Sequence, residues 1–143
     1  MDMNFNKIIR LQNIRIEKLK LLEEENILST PLLTDKNLIY EIYKIFIELM
    51  NEQKLLPSID NVIQRKKFIF IILFMFSPSA LAGGKMIGKL REELSNVLQI
   101  HSKSTISDNC ADITFLYQTY PDFSKDVEFF YTEITKRLNI KVQ

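Results

Sequence analysis

The chain has one cysteine, one histidine, no tryptophan, three glycines and four prolines in 143 residues. A single cysteine, Cys110, excludes an intramolecular disulfide framework and a cysteine-based zinc site. So few glycines and prolines leave too little turn chemistry for a sandwich or barrel of short strands. The one histidine, His101, stands nine positions from Cys110, on an expected turn and an expected helix face respectively, so no nucleophile–base pair is legible. Carboxylates cluster only as Glu23-Glu24-Glu25 and Glu92-Glu93, which read as solvated helix surface. No glycine-rich phosphate loop and no metal-ligand spacing occur. The chain is therefore expected not to be an enzyme, and no cofactor or metal is called for.

A long hydrophobic run is also missing. The nearest approach is RKKFIFIILFMFSPSALAGG, residues 65–84, where three basic residues precede nine apolar ones and small residues follow. That is the layout of a secretory signal, set in the middle of the chain instead of at its start. The N-terminal stretch MDMNFNKIIRLQNIRIEK is polar and amphipathic. Nine apolar residues as a helix span roughly 14 Å, about half of a ~30 Å hydrocarbon core. Phe68 to Phe76 thus read as a helix buried on all sides of a small domain. The expectation is a cytoplasmic protein with no membrane segment.

What is present suits an all-α protein with a real core: 46% apolar residues, ten Phe and five Tyr, with an ordinary 26% charged. About six helices are expected, in a compact bundle behind an N-terminal amphipathic helix. Residues 4–27 form that first helix, with apolar residues on two stripes and five basic against four acidic side chains. Heptad matching along Phe5, Ile9, Ile16 and Leu19 fails at Gln12 and Glu23, so a long coiled coil is not expected. The glutamates 23–25 oppose the helix dipole, which predicts a frayed end. This helix, residues 1–30, reads as a docking or self-association element or as a helix packed on its own domain. Residues 31–143 form the helical domain.

Within that domain, Thr34 or Asp35 is expected to cap a helix reaching Gln53, with Leu38, Ile42, Ile45, Phe46 and Leu49 inward and Ile39, Tyr43 and Met50 widening the stripe. Ser58 would cap the next, from about Ile59 to Phe76. Ser77-Pro78 then starts a short turn, cap residue followed by proline at the first helical position. Helices follow from about Met86 to Leu98, from Lys103 to about Tyr120 with Ser102 as cap, and beyond Pro121. In the fourth, Ile87, Leu90, Leu94 and Val97 are in phase. In the fifth, Ile106, Cys110, Ile113 and Leu116 point inward. In the sixth, Phe123, Val127, Phe130, Tyr131, Ile134 and Leu138 do so.

Charge is unevenly spread. Between Asn61 and Arg91 stand six basic residues and no acidic one, while the rest of the chain carries thirteen basic and eighteen acidic side chains. A net charge of +1 therefore hides a basic segment in an acidic frame. Such a segment suits phosphate, from which lysine and arginine displace condensed counterions, or it is a helix surface balanced by acids from elsewhere in the fold. The helix pair over about residues 86–120 has helix-turn-helix spacing. Its second helix would show Lys103, Ser104, Thr105, Ser107 and Asn109 to the bases of duplex DNA. Arg65, Lys66, Lys67, Lys85, Lys89, Arg91 and His101 would anchor its phosphates. Asp108 and Asp112, on the same outward face, argue against this because they repel phosphate.

The run HSKSTISDNCADI, residues 101–113, resembles the signature that opens the recognition helix in the duplex-binding domain of the DnaA replication initiator. That family has Arg-Asp-His-Thr-Thr-Val, then Ala-Cys and a closing Ile, in a helical group that includes the tryptophan repressor. Here Lys103 stands at its His, Ser104-Thr105-Ile106 at Thr-Thr-Val, Cys110 beside its Cys and Ile113 at its Ile. RKKFIFIILFMF resembles the family's first helix and LREELSNVLQI its scaffold helix, so the likeness covers about residues 62–113. His101 and Ser102 depart from the family's Arg-Asp, and SPSALAGG is an added connection. The resemblance implies duplex-DNA binding without ATP-driven initiation, as in a regulator of transcription or an accessory protein of a phage or mobile element. The competing expectation is a helical protein–protein adaptor or assembly component, with a homo-oligomer or protein partner engaged through the N-terminal helix.

Overall fold

Apolar residues at three- and four-residue steps fold as helices among the described residues. The computed structural model describes residues 3–53, 62–100 and 103–140, and the side chains of these except at positions 3, 103, 104 and 111. Among the described residues are seven helices and no strand: α1 (Met3–Leu28), α2 (Leu38–Glu52), α3 (Val62–Phe76), α4 (Pro78–Leu81), α5 (Leu90–Leu98), α6 (Lys103–Thr119) and α7 (Pro121–Arg137). The fold is all-α, as expected. The seventh element is the single turn α4. Two units separate by internal packing, Met1–Thr30 and Pro31–Gln143. The expected caps Ser58 and Ser102, and residues 59–61 of the third expected helix, lie outside the described residues.

In the larger unit α3 is the axis, packing against α2, α4, α5, α6 and α7. The apolar run that resembles a signal is its body. Phe68, Ile69, Ile71, Ile72, Leu73, Met75 and Phe76 are all buried, Phe70 is half-buried, and only Phe74 is exposed. Burying a Leu, Ile, Met or Phe side chain stabilises by roughly 1.5–3 kcal/mol, so this helix is the principal source of core energy. Aromatic rings tie it to its neighbours: Phe46 of α2 lies 5.4 Å from Phe68 and 4.6 Å from Phe130 of α7. Such offset and tilted pairs add to simple burial.

Ser77 ends α3. Its N–H donates to the Leu73 carbonyl at 2.8 Å, its own carbonyl accepts from Ala80, and its buried hydroxyl accepts from the Ile87 N–H at 3.1 Å. The expected side-chain cap on α4 is therefore absent: the hydroxyl holds the Met86–Gly88 strand of chain instead. That use explains a second difference. The helix expected from Met86 begins only at Leu90, because Ile87 is drawn toward Ser77 and Lys89 takes a left-handed turn at φ 69°. Ile87, expected in the core, is consequently exposed. At the other end, Gln99 is left-handed and the Ile100 N–H reaches back to Ser95 O at 2.9 Å, a Schellman closure without glycine.

α2 also begins later than the expected caps. Asp35 Oδ1 accepts from the Asn37 N–H at 3.0 Å, forming a turn one step before the helix, while Asn37 supplies no side-chain cap. The buried residues are Ile39, Ile42, Phe46, Leu49 and Met50, all on the wide face expected, with Leu38, Tyr43 and Ile45 half-buried at its margins. Phe123, Val127, Phe130 and Ile134 of α7 are inward as expected, and Arg137 clasps Glu52 of α2 through Nη2 at 2.9 and 3.0 Å.

The smaller unit is α1 with its C-terminal turn. The Ser29 N–H donates to Glu25 O at 2.9 Å and Thr30 Oγ1 to Asn26 O at 2.9 Å, so the helix runs through the glutamate cluster to Leu28 without the expected fraying. Ten large apolar side chains between Phe5 and Leu28 are exposed, every one of them by more than half. No helix among the described residues is long and apolar enough to cross a membrane.

Candidate functional site

The basic segment falls in two places with different fates. Its first part enters the core on α3. Lys66 Nζ lies 2.8 Å from Asp112 Oδ2 of α6, and Lys67 Nζ lies 2.6 Å from Asp126 Oδ2 of α7. The Lys67 side chain is only 7% exposed, so its charge is committed to Asp126. The two lysines expected to anchor phosphate are in this structure the counterions of acids 46 and 59 residues away. Arg65 beside them is half-buried, with Nε buried and unpartnered among the described residues.

The second part stays outside. Lys85, Lys89 and Arg91 are exposed. Lys85 and Arg91 line an open cleft of about 620 Å³ with Ser107, Cys110 and Thr114 of α6 and the Gly83-Gly84 turn. Gly83 carries φ +91°, which permits that turn. Thr114 Oγ1 donates to Leu81 O at 2.7 Å and so ties α4 to α6 below the cleft. Burial pushes the Cys110 thiol up to about 11; Arg91 pulls the other way and the Asp112 carboxylate reinforces the rise. The cleft is thus cationic at its rim and holds an inert, neutral thiol.

The expected reading helix is held among its neighbours. α6 packs against α3, α4, α5 and α7. Asn109, expected to face a base, is 7% exposed, and its Nδ2 is buried without a hydrogen-bond partner among the described residues. Asn109 is thus placed in the interior instead of on the expected outward face. Thr105 and Ser107 are half-buried. Lys103 and Ser104 open α6 but their side chains lie outside what is described, as does His101 altogether. What α6 does expose includes one acidic residue, Asp108, one aromatic, Phe115, and two neutral polar residues, Gln118 and Thr119.

Of the expected site, then, Lys85, Arg91 and Ser107 come together; Lys66, Lys67 and Asn109 do not. Missed by sequence were Asp112, Asp126 and Thr114, whose partners are too distant along the chain to be seen. Also missed was an apolar groove of about 310 Å³ where Phe70 stacks on Tyr117 at 4.9 Å and Phe74 meets Tyr131 edge-on at 5.1 Å. Its only sequence signal was the placement of Phe70 and Phe74 four apart in the apolar run. No group of three or more His, Cys, Asp or Glu able to hold a metal occurs among the described residues. No protein-family model, curated protein or solved structure matches the chain.

Cys110 makes the cleft's electrostatics measurable. Its folded value lies above the unfolded one, so the neutral thiol stabilises the fold fully below about 9 and that contribution is lost as pH rises toward about 11. The urea midpoint of the wild type should therefore fall more between pH 8 and 10.5 than that of Cys110→Ala. Alkylation at pH 8 should run on the order of 100-fold or more slower than for a free thiol. Equal midpoint losses, or fast alkylation, would show an exposed thiol.

Proposed function

We propose that the protein is a non-catalytic assembly module, with residues 31–143 as a closed helical body and α1 as its docking helix. One observation carries this reading: α1 exposes ten large apolar side chains in 26 residues. An isolated helix draws little stability from propensity alone, and an apolar surface of this extent on a soluble chain marks an interaction site. The body supports the reading from the other side. Its basic helix turn is tied up in ion pairs, and the helix with recognition spacing is packed on four neighbours.

Duplex binding survives as a second reading on one specific feature, the meeting of Lys85, Arg91 and Ser107 in a single cleft. It is phosphate attraction without base reading, in keeping with a partial likeness to an initiator's duplex-binding domain.

Hydrogen exchange separates docking from its absence. Amides of residues 3–28 should exchange fast in the dilute purified chain and gain protection when a partner is present, whether at high chain concentration or in an extract of the source cells. Fast exchange of α1 under every condition would refute the docking reading.

For the second reading, Lys85→Glu with Arg91→Glu should weaken all duplexes about equally and flatten the salt dependence by roughly one log unit per lost phosphate contact. A wild-type chain that binds no duplex at low salt, where attraction is greatest, removes that reading.

A further inference from the structure

The proposal of α1 as a docking helix leaves its partner open, and α1 itself supplies an answer. Six of its apolar residues, Phe5, Ile8, Leu11, Ile16, Leu19 and Leu22, are each more than half exposed. With about 100° of turn per residue they fall within about 140° of the helix circumference, one continuous face. Their order along the chain has a hidden symmetry. Reversing the helix end for end about the bond between Asn13 and Ile14 places Phe5 on Leu22, Ile8 on Leu19 and Leu11 on Ile16. Apolar positions map onto apolar positions. The other apolar residues of this span, Ile9, Ile14 and Leu21, lie beyond the edges of that face.

The polar residues inside the face obey the same operation, whereas outside it Lys7 maps onto Lys20 and Lys18 onto Ile9. Gln12 and Arg15 sit in the middle of the apolar face, and reversal maps each onto the other. Reversal also maps Arg10 onto Glu17. Within one helix these last two are only 3.7 Å apart at best and well exposed, a loose pair that is free to exchange partners. Finally, charge divides along the helix. Residues 3–16 hold Lys7, Arg10 and Arg15 with no acid, whereas residues 17–28 hold four glutamates against Lys18 and Lys20. Parallel pairing would set the cationic halves together; reversed pairing sets unlike halves together.

We infer that α1 pairs antiparallel with α1 of a second copy of this chain, across a two-fold axis at residues 13–14, with Phe5, Ile8 and Leu11 of one copy meeting Leu22, Leu19 and Ile16 of the other. An isologous contact requires a surface complementary to itself under a two-fold rotation, and this face is. At the centre, each Gln12 amide oxygen accepts from the Arg15 guanidinium across the axis, twice by symmetry. A polar layer inside an apolar seam costs stability but fixes register and orientation, since any slip strands the guanidinium against apolar side chains. The paired span of 18 residues is about 27 Å long. This is a short helix pair, consistent with the failure of a long heptad pattern.

The inference rests on the docking reading, and two measurements on the full chain keep their failures apart. Sedimentation equilibrium should show a monomer–dimer equilibrium, and Leu19→Asp should lower the association constant about 100-fold or more, since each dimer loses two buried leucines. In a Cys110→Ala background, Phe5→Cys chains mixed with Leu22→Cys chains should form the mixed disulfide dimer on mild oxidation, and neither should cross-link to itself. Gln12→Leu with Arg15→Leu should keep the dimer but relax its orientation, so that same-site disulfides also form. Same-site disulfides in the Gln12, Arg15 parent would overturn the antiparallel arrangement, and trimers or tetramers would overturn the two-fold pair. A chain that stays monomeric at all concentrations overturns self-pairing outright. If α1 amides nevertheless gain protection in cell extract, the helix docks on another protein and the broader reading stands; if they do not, both fall.

Discussion

A helix buried on every side cannot leave its charged residues in water, and that constraint organises the body of this protein. α3 carries Lys66 and Lys67 at the foot of its apolar run, and the core closes around both. An ammonium taken out of water without a counterion costs several kcal/mol, comparable to the whole stability of a small domain. Asp126 of α7, 2.6 Å from Lys67, and Asp112 of α6, 2.8 Å from Lys66, meet that demand. Each pair links α3 to a different neighbour, so together they restrict how α6 and α7 can slide along it. Apolar packing supplies the energy and the two charges select the register.

The same constraint decides what the basic segment can do. A run of cations without acids reads, along the chain, as a surface waiting for a polyanion. In the fold, Lys66 and Lys67 are paired with acids of α6 and α7, Arg65 is half-buried, and of the six basic residues only Lys85, Lys89 and Arg91 are exposed. The surfaces left uncovered are the cationic cleft, where Lys85 and Arg91 meet Ser107 of α6, and the apolar side chains of α1, on which the proposed docking role rests.

The helices themselves were legible because their periodicity is local: three- and four-residue apolar steps located α2, α3, α6 and α7 within a few residues of their bounds. The signal-like stretch was legible for the same reason, since nine apolar residues in a row leave no polar face. Features settled by distant contacts were not. Nothing near Lys67 announces Asp126, and nothing near Asn109 announces its burial. The late start of α5 depends on Ser77, ten residues earlier, capturing the Ile87 N–H. The two-fold pattern in α1 was present in the sequence throughout. It is hidden by residues on the other stripe and becomes visible once positions are paired end for end about residues 13–14.

The central claim, that the basic turn of α3 serves the fold, is tested most directly by a double-mutant cycle on Lys67 and Asp126. Lys67→Met, Asp126→Asn and the double variant would be unfolded in urea and compared with the wild type. The account predicts a coupling energy of about 1–3 kcal/mol, with the double variant more stable than the sum of the single losses implies. A coupling indistinguishable from zero, as for many exposed ion pairs, would contradict it and return Lys67 to the surface.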